Sequence, residues 1–212
     1  MIVFGCISPH APILLPDVGS PQDRGKVKLT IGALKSLAPK LAATKPEMVI
    51  VSSPHPDWGI DVPLHFLAPS LKSKLKTYLT TLDSPKEHFR WGEKIASAIP
   101  PKYRIAWIAS GDMSHRLKKD GPYGFHPSGP GFDQKFIELL KKKDIERILN
   151  LPEDFVEEAG ECGLRSFCML LGALDGLGVN WSPEVLSYEG PFGVGYLVAN
   201  IRINPNKNNP NE

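Results

Sequence analysis

Three short apolar runs constrain this chain more than any other feature of it. They are MIVFGCIS (Met1 to Ser8), EMVIVS (Glu47 to Ser52) and YRIAWIAS (Tyr103 to Ser110). Each reads as a buried β-strand. Between the first two, Val27, Ile31, Leu34, Leu37 and Leu41 recur every three to four residues across Lys26 to Ala43. That spacing predicts an amphipathic helix. Two strands joined by a helix of this length form a βαβ unit, normally parallel and right-handed.

Further helices are predicted over Pro85 to Ile99, Phe132 to Lys142, Lys143 to Leu149 and Cys162 to Leu174. The first of these stops at the Pro100-Pro101 pair. Closing strands are expected over Glu184 to Tyr188 and Gly195 to Ile203, and a further strand within GIDVPLHFLA, residues 59–68. Pro9 to Asp23 and GPYGFHPSGPG are loops. No linker divides the chain. It reads as one α/β domain over 1–204, a central and mostly buried sheet flanked by helices, with a polar tail over 205–212.

Composition narrows the function. An apolar fraction of 42% and a charged fraction of 23% belong to an ordinary globular chain. A net charge of +2 marks no nucleic-acid binder, and no apolar run reaches the length of a membrane span. Three cysteines make no disulfide framework. The N-terminus has no basic region and its apolar run is broken at Pro9, unlike a secretory signal. A cytoplasmic protein without nucleic-acid or membrane partners is expected.

The histidines carry the chemistry. His10, His55 and His115 each follow one of the three strands, where ligands bind in open α/β sheets. If those strands are parallel neighbours, the three imidazoles share one cleft. Ser8-Pro9-His10 and Ser53-Pro54-His55 repeat one tripeptide, and proline stiffens the backbone that aims the ring. Such aim serves a metal ligand or a catalytic base. His65 and His88 fall outside this pattern and read as solvated.

Two histidines with one carboxylate leave positions open on an octahedral ion, as in non-haem Fe(II) oxygenases. Glu153, Asp154, Glu157, Glu158 and Glu161 are the acidic candidates. Glu161 stands apart, at the head of the apolar helix, although a helix-start acid fits there equally. Asp112 is a turn residue or a partner of His115. Asp57 is a candidate for fixing a histidine tautomer, Trp58 for lining the pocket, and His126 for touching substrate from a loop that could close as a lid. Arg165 reads as structural, with an anionic substrate group as its other possible partner. Neither a G-x-S-x-G elbow nor a Walker A loop is present.

Taken together, SPHAPILLPDVG, SPHPDW, SGDMSHRL and AGECGLRSFCMLLGAL resemble the LigB-like family. These are the class III extradiol ring-cleavage dioxygenases and their Memo-type relatives. The resemblance implies a single α/β domain, with His10, His55 and Glu161 holding Fe(II) and His115 as catalytic acid–base beside Asp112. It implies O2 and a small aromatic diol as substrates, and a possible homo-oligomer. Cys162-Gly163 also matches a Cys-Gly pair of the Memo-type relatives. In that case Cys162 faces the site, alone or beside Glu161, zinc or copper replaces iron, and the protein binds a metal or ligand without cleaving a ring.

Overall fold

The computed structural model describes residues 1–70 and 72–204, so the predicted tail at 205–212 lies outside the described residues. The elements in chain order are β1 (Ile2–Ser8), α1 (Pro21–Lys26), α2 (Lys28–Ala43), β2 (Met48–Ser53), α3 (Trp58–Leu67), β3 (Lys74–Leu79) and α4 (Pro85–Ser97). They continue with β4 (Ile105–Ser110), α5 (Ser128–Lys142), α6 (Ile145–Leu149), α7 (Glu153–Ala159), α8 (Leu164–Gly176), β5 (Trp181–Glu189) and β6 (Tyr196–Ile203). Among the described residues this is one α/β domain, a six-stranded mixed sheet flanked by eight helices. No described helix is long and apolar enough to cross a membrane.

The strand order is β3-β2-β4-β1-β6-β5. The first four strands are parallel, and β6 and β5 add an antiparallel hairpin. β4 lies between β1 and β2, so their carboxyl ends are adjacent. Along β4 the side chains alternate between two cores. Ile105, Trp107 and Ala109 join a layer with Phe132, Phe136, Phe167 and Leu170 of α5 and α8. Ala106 and Ile108 join Leu34, Leu37, Ile60 and Phe66 of α2 and α3 on the other face. Cover on both faces explains why these strands read as unbroken apolar runs.

One predicted element needs correction, and one strand was not predicted. Residues 59–68 hold no strand: 59–67 belong to α3, whose buried Ile60, Pro63, Phe66 and Leu67 follow a helical period. Pro63 hid that period. The fourth parallel strand is instead β3, KLKTYL, five of whose six residues are exposed. As an edge strand it buries no face, and its lysines suit an unpaired edge. His88 is also not solvated. It is fully buried on α4, where Nε2 accepts the Thr81 N–H at 3.1 Å.

Candidate metal centre

The parallel core of the sheet delivers the site. His10 lies two residues past β1 and His55 two past β2, while His115 follows β4 between them. The His10 and His55 rings meet edge to face with centroids 5.1 Å apart. Cys162, in the turn before α8, places Sγ 3.5 Å from His10 Nε2. One ligand atom from each of His10, His55 and Cys162 lies within 4.8 Å of the others. These three groups, with Asp112 and His115, form the polar floor of a cavity of about 740 Å³. Its walls are mainly apolar and aromatic, with Ile13, Trp58, Tyr123, Phe192, Val194 and Tyr196, and Asp23 is the one carboxylate among the described wall residues.

Asp112 ties the floor together. Its Oδ1 accepts the His10 N–H at 3.0 Å. Its own N–H donates to Cys162 Sγ at 3.3 Å, and its carbonyl accepts the Gly163 N–H at 3.0 Å. This clamp needs bare backbone on both sides. A Cβ on Gly111 would fall 2.2 Å from Gly163 Cα, and one on Gly163 would fall 2.9 Å from the Asp112 carbonyl oxygen. The glycines of SGDMSH and ECGLRS therefore permit the approach that brings Cys162 to His10.

Burial sets the protonation states. It pushes the His10 imidazole down to about 3, with nearby His55 adding to the shift. It pushes the Asp112 carboxyl up to about 6. The Cys162 thiol is pushed well up by burial and then by the Asp112 charge, and His115 is lowered by burial. His10 and His115 are thus held as neutral imidazoles beside a protonated Cys162 thiol. Thiols react as thiolates, so Cys162 is a poor nucleophile in this state. A cation reverses that logic, because it favours the deprotonated ligand.

His115 lines the cavity with its ring 5.0 Å from Tyr123. Its Nε2 is buried and has no hydrogen-bond partner. A buried polar atom without a partner calls for one, and here it belongs to a residue that lines the cavity.

Other predicted residues fall elsewhere. Glu161 does not face His10 and His55. Its side chain is 1% exposed and packs under α8, where Oε2 accepts the Leu164 N–H at 2.5 Å and Oε1 stands 3.8 Å from Arg165 Nη1. Burial pushes its carboxyl up to about 7. The turn after Gly160 sends consecutive side chains to opposite sides, so Cys162 occupies the place expected for Glu161. His126 does not line the cavity. Its Nδ1 accepts the Ser128 N–H at 3.3 Å and stands 3.8 Å from Glu158 Oε2. Trp58 lines the wall, its ring 5.3 Å from that of His55. Arg165 Nε donates to the Asp83 carbonyl at 2.8 Å.

Sequence reasoning missed Asp133 on α5. This buried carboxylate accepts the Ser114 N–H on Oδ1 at 2.8 Å and the Tyr188 hydroxyl on Oδ2 at 2.5 Å. It thereby holds the residue before His115. The signal was an acid between Phe132 and Phe136 on a core-facing helical stripe. Burial pushes Asp133 up to about 6, outweighing the bonds from Tyr188 and Ser114. A carboxyl held above its ordinary value near 4 binds its proton more tightly in the folded chain. Its stabilising contribution is full below about pH 4 and is lost as pH rises to about 6. Asp133→Asn is expected to flatten part of the fall in Tm across that window. Identical Tm–pH slopes in the two proteins would show that Asp133 does not titrate there.

Residues 55–199 match the family model described as the catalytic LigB subunit of aromatic ring-opening dioxygenase. The chain belongs to the LigB family. It is 42% identical over 147 residues to Protein CA_C1420 of Clostridium acetobutylicum, a match covering 68% of this chain and 31% of that protein. The chain thus spans about a third of the length of this curated relative. In fold, the LigB-family chain is similar to the crystal structure of uncharacterized protein JW3007 from Escherichia coli K12. That likeness has a TM-score of 0.65 at 14% identity, covering 94% of this chain and 99% of the other.

Proposed function

We propose that this LigB-family protein is a metalloprotein in which His10, His55 and Cys162 hold one ion at the floor of a small-molecule cavity, as in the Memo-type reading. The observation that carries the proposal is the choice made in the turn before α8. Cys162 faces the two histidines, and Glu161 is engaged under the helix. The donor set fits a metal. Nitrogen at about 2.0 Å and sulfur at about 2.3 Å from a tetrahedral ion stand roughly 3.5 Å apart. His10 Nε2 and Cys162 Sγ are separated by 3.5 Å. Two imidazoles and a thiolate suit zinc or cuprous copper better than they suit a hard cation.

Held by these three residues, an ion would supply Lewis acidity to a ligand oxygen or nitrogen. The chain supplies the remainder. Trp58, Tyr123 and Phe192 offer apolar faces to a flat or compact organic molecule. His115, neutral and without a protein partner at Nε2, accepts or returns a proton at the bound group.

A second reading is extradiol ring opening of a small aromatic diol with O2 at Fe(II). The family description and the placement of His115 on the cavity favour it.

A cobalt titration tests the proposal. We expect one Co(II) per chain, with an intense thiolate-to-cobalt absorption. Stoichiometric cobalt without that band would remove Cys162 from the ligand set. Failure to bind cobalt, zinc, copper or iron would overturn the metalloprotein reading. The second reading predicts ring-opened product when the Fe(II)-loaded protein meets catechol and O2, and its absence would exclude that diol as substrate.

A further inference from the structure

The deciding observation is an unfilled carbonyl in α3. In an α-helix the N–H of residue 63 bonds the carbonyl of residue 59. Position 63 is a proline and has no N–H to donate. The Gly59 carbonyl therefore lacks its helical donor, and a buried carbonyl needs one. Ser110, the last residue of β4, meets that need from outside the helix. Its hydroxyl donates to the Gly59 carbonyl oxygen at 2.5 Å.

A hydroxyl has a single proton to give. With that proton on Gly59, Ser110 Oγ can only accept at its other contact, His10 Nδ1, 3.0 Å away. His10 must then carry its proton on Nδ1. A neutral imidazole has one N–H, so Nε2 is left with a bare lone pair, turned toward Cys162. Ser110 is fully buried and His10 is 2% exposed, so bulk water does not compete for these bonds.

The opposite tautomer has a partner waiting. Asp112 Oδ2 stands 3.8 Å from His10 Nε2. A proton on Nε2 would be drawn into a charge-assisted bond with that carboxylate, and the nitrogen would be lost as a ligand. Gly59 must also lack a side chain for its turn to reach Ser110. A Cβ there would fall 2.1 Å from Ser53 Oγ and 3.0 Å from His55 Cβ.

We propose that Ser110 is a positioning residue that locks His10 in its Nδ1–H tautomer, and that Pro63 frees the Gly59 carbonyl which orients Ser110. The relay runs from Pro63 through Gly59 and Ser110 to His10, and it prepares Nε2 as a metal ligand before any ion arrives. Its consequence for metal affinity rests on the metalloprotein reading above. The tautomer itself does not.

The test uses metal-free, full-length protein with ¹⁵N-labelled histidine. Long-range ¹H–¹⁵N spectra separate protonated from bare ring nitrogens, and His10→Ala assigns the signal. We expect Nδ1–H at His10 in the wild type and in Ser110→Thr, which keeps the hydroxyl. In Ser110→Ala we expect Nε2–H to appear and zinc affinity to fall about 10- to 100-fold, as for outer partners of ligating histidines. Nε2–H in the wild type overturns the proposal. So does an unchanged tautomer in Ser110→Ala, whereas a changed tautomer with unchanged zinc affinity overturns the consequence drawn for metal binding. If the wild type takes up none of zinc, copper, cobalt or iron, the metalloprotein reading fails and the spectra alone decide the relay. If Ser110→Ala does not fold, the wild-type and Ser110→Thr tautomers decide it.

Discussion

Cys162→Ser is expected to lower zinc affinity by more than about a hundredfold, beyond the loss typical of an outer partner. Glu161→Gln is expected to leave affinity within a factor of about three, since its carboxylate touches no ligand and the amide keeps an acceptor. The contrast follows from two adjacent side chains that point to opposite sides of one turn. Cys162 Sγ lies against His10 Nε2, whereas Glu161 accepts the Leu164 N–H beneath α8. Serine keeps the shape of cysteine and removes the soft donor. Competition against a chromophoric chelator measures both variants. Loss of zinc from Glu161→Gln with retention in Cys162→Ser would reverse the ligand assignment and restore the two-His, one-carboxylate site.

Gly172→Ala and Gly92→Ala are each expected to destabilise the fold by about 3 kcal/mol or more, at the upper end of overpacking. The helices α4 and α8 cross so closely that their glycines face backbone. A Cβ on Gly92 would fall 1.9 Å from the Met169 carbonyl oxygen, and one on Gly172 would fall 1.9 Å from that of Phe89. A side chain can rotate away from such a clash, but a helical carbonyl moves only with its helix. Alanine also gains up to about 1 kcal/mol of helix propensity over glycine. That gain is smaller than the clash here and wins only where space is open. Gly32 on α2 is the control, because a Cβ there meets nothing within 4 Å. Gly32→Ala is expected to stabilise the protein by roughly 0.5–1 kcal/mol. Urea midpoints of the three variants check the argument. A Gly172→Ala protein as stable as the wild type would show that the helices are not held this close.

Much of the layout was legible because it is local. β1, β2 and β4 are short apolar runs, and α2 shows its period in five residues. The edge strand β3 escaped notice because nothing covers it, and α3 escaped because Pro63 interrupts a helical stripe. The four glycines at Gly92, Gly111, Gly163 and Gly172 carried no readable signal. Their role lies in contacts between segments far apart in sequence.

The same division runs through the site. The Ser-Pro-His repeat at strand ends marked His10 and His55, and a third strand end marked His115, because proline and strand termini act on their immediate neighbours. Three things were decided only by the tertiary structure. The insertion of β4 between β1 and β2 made the strand ends adjacent. The backbone contact between Gly111 and Gly163 turned Cys162, and not Glu161, toward His10. The relay from Gly59 through Ser110 selected the tautomer of His10. Residue type and local turn chemistry state which groups are available. Which of two neighbouring side chains faces a cleft, and which nitrogen of an imidazole is bare, depends on hydrogen-bond partners fifty or more residues away.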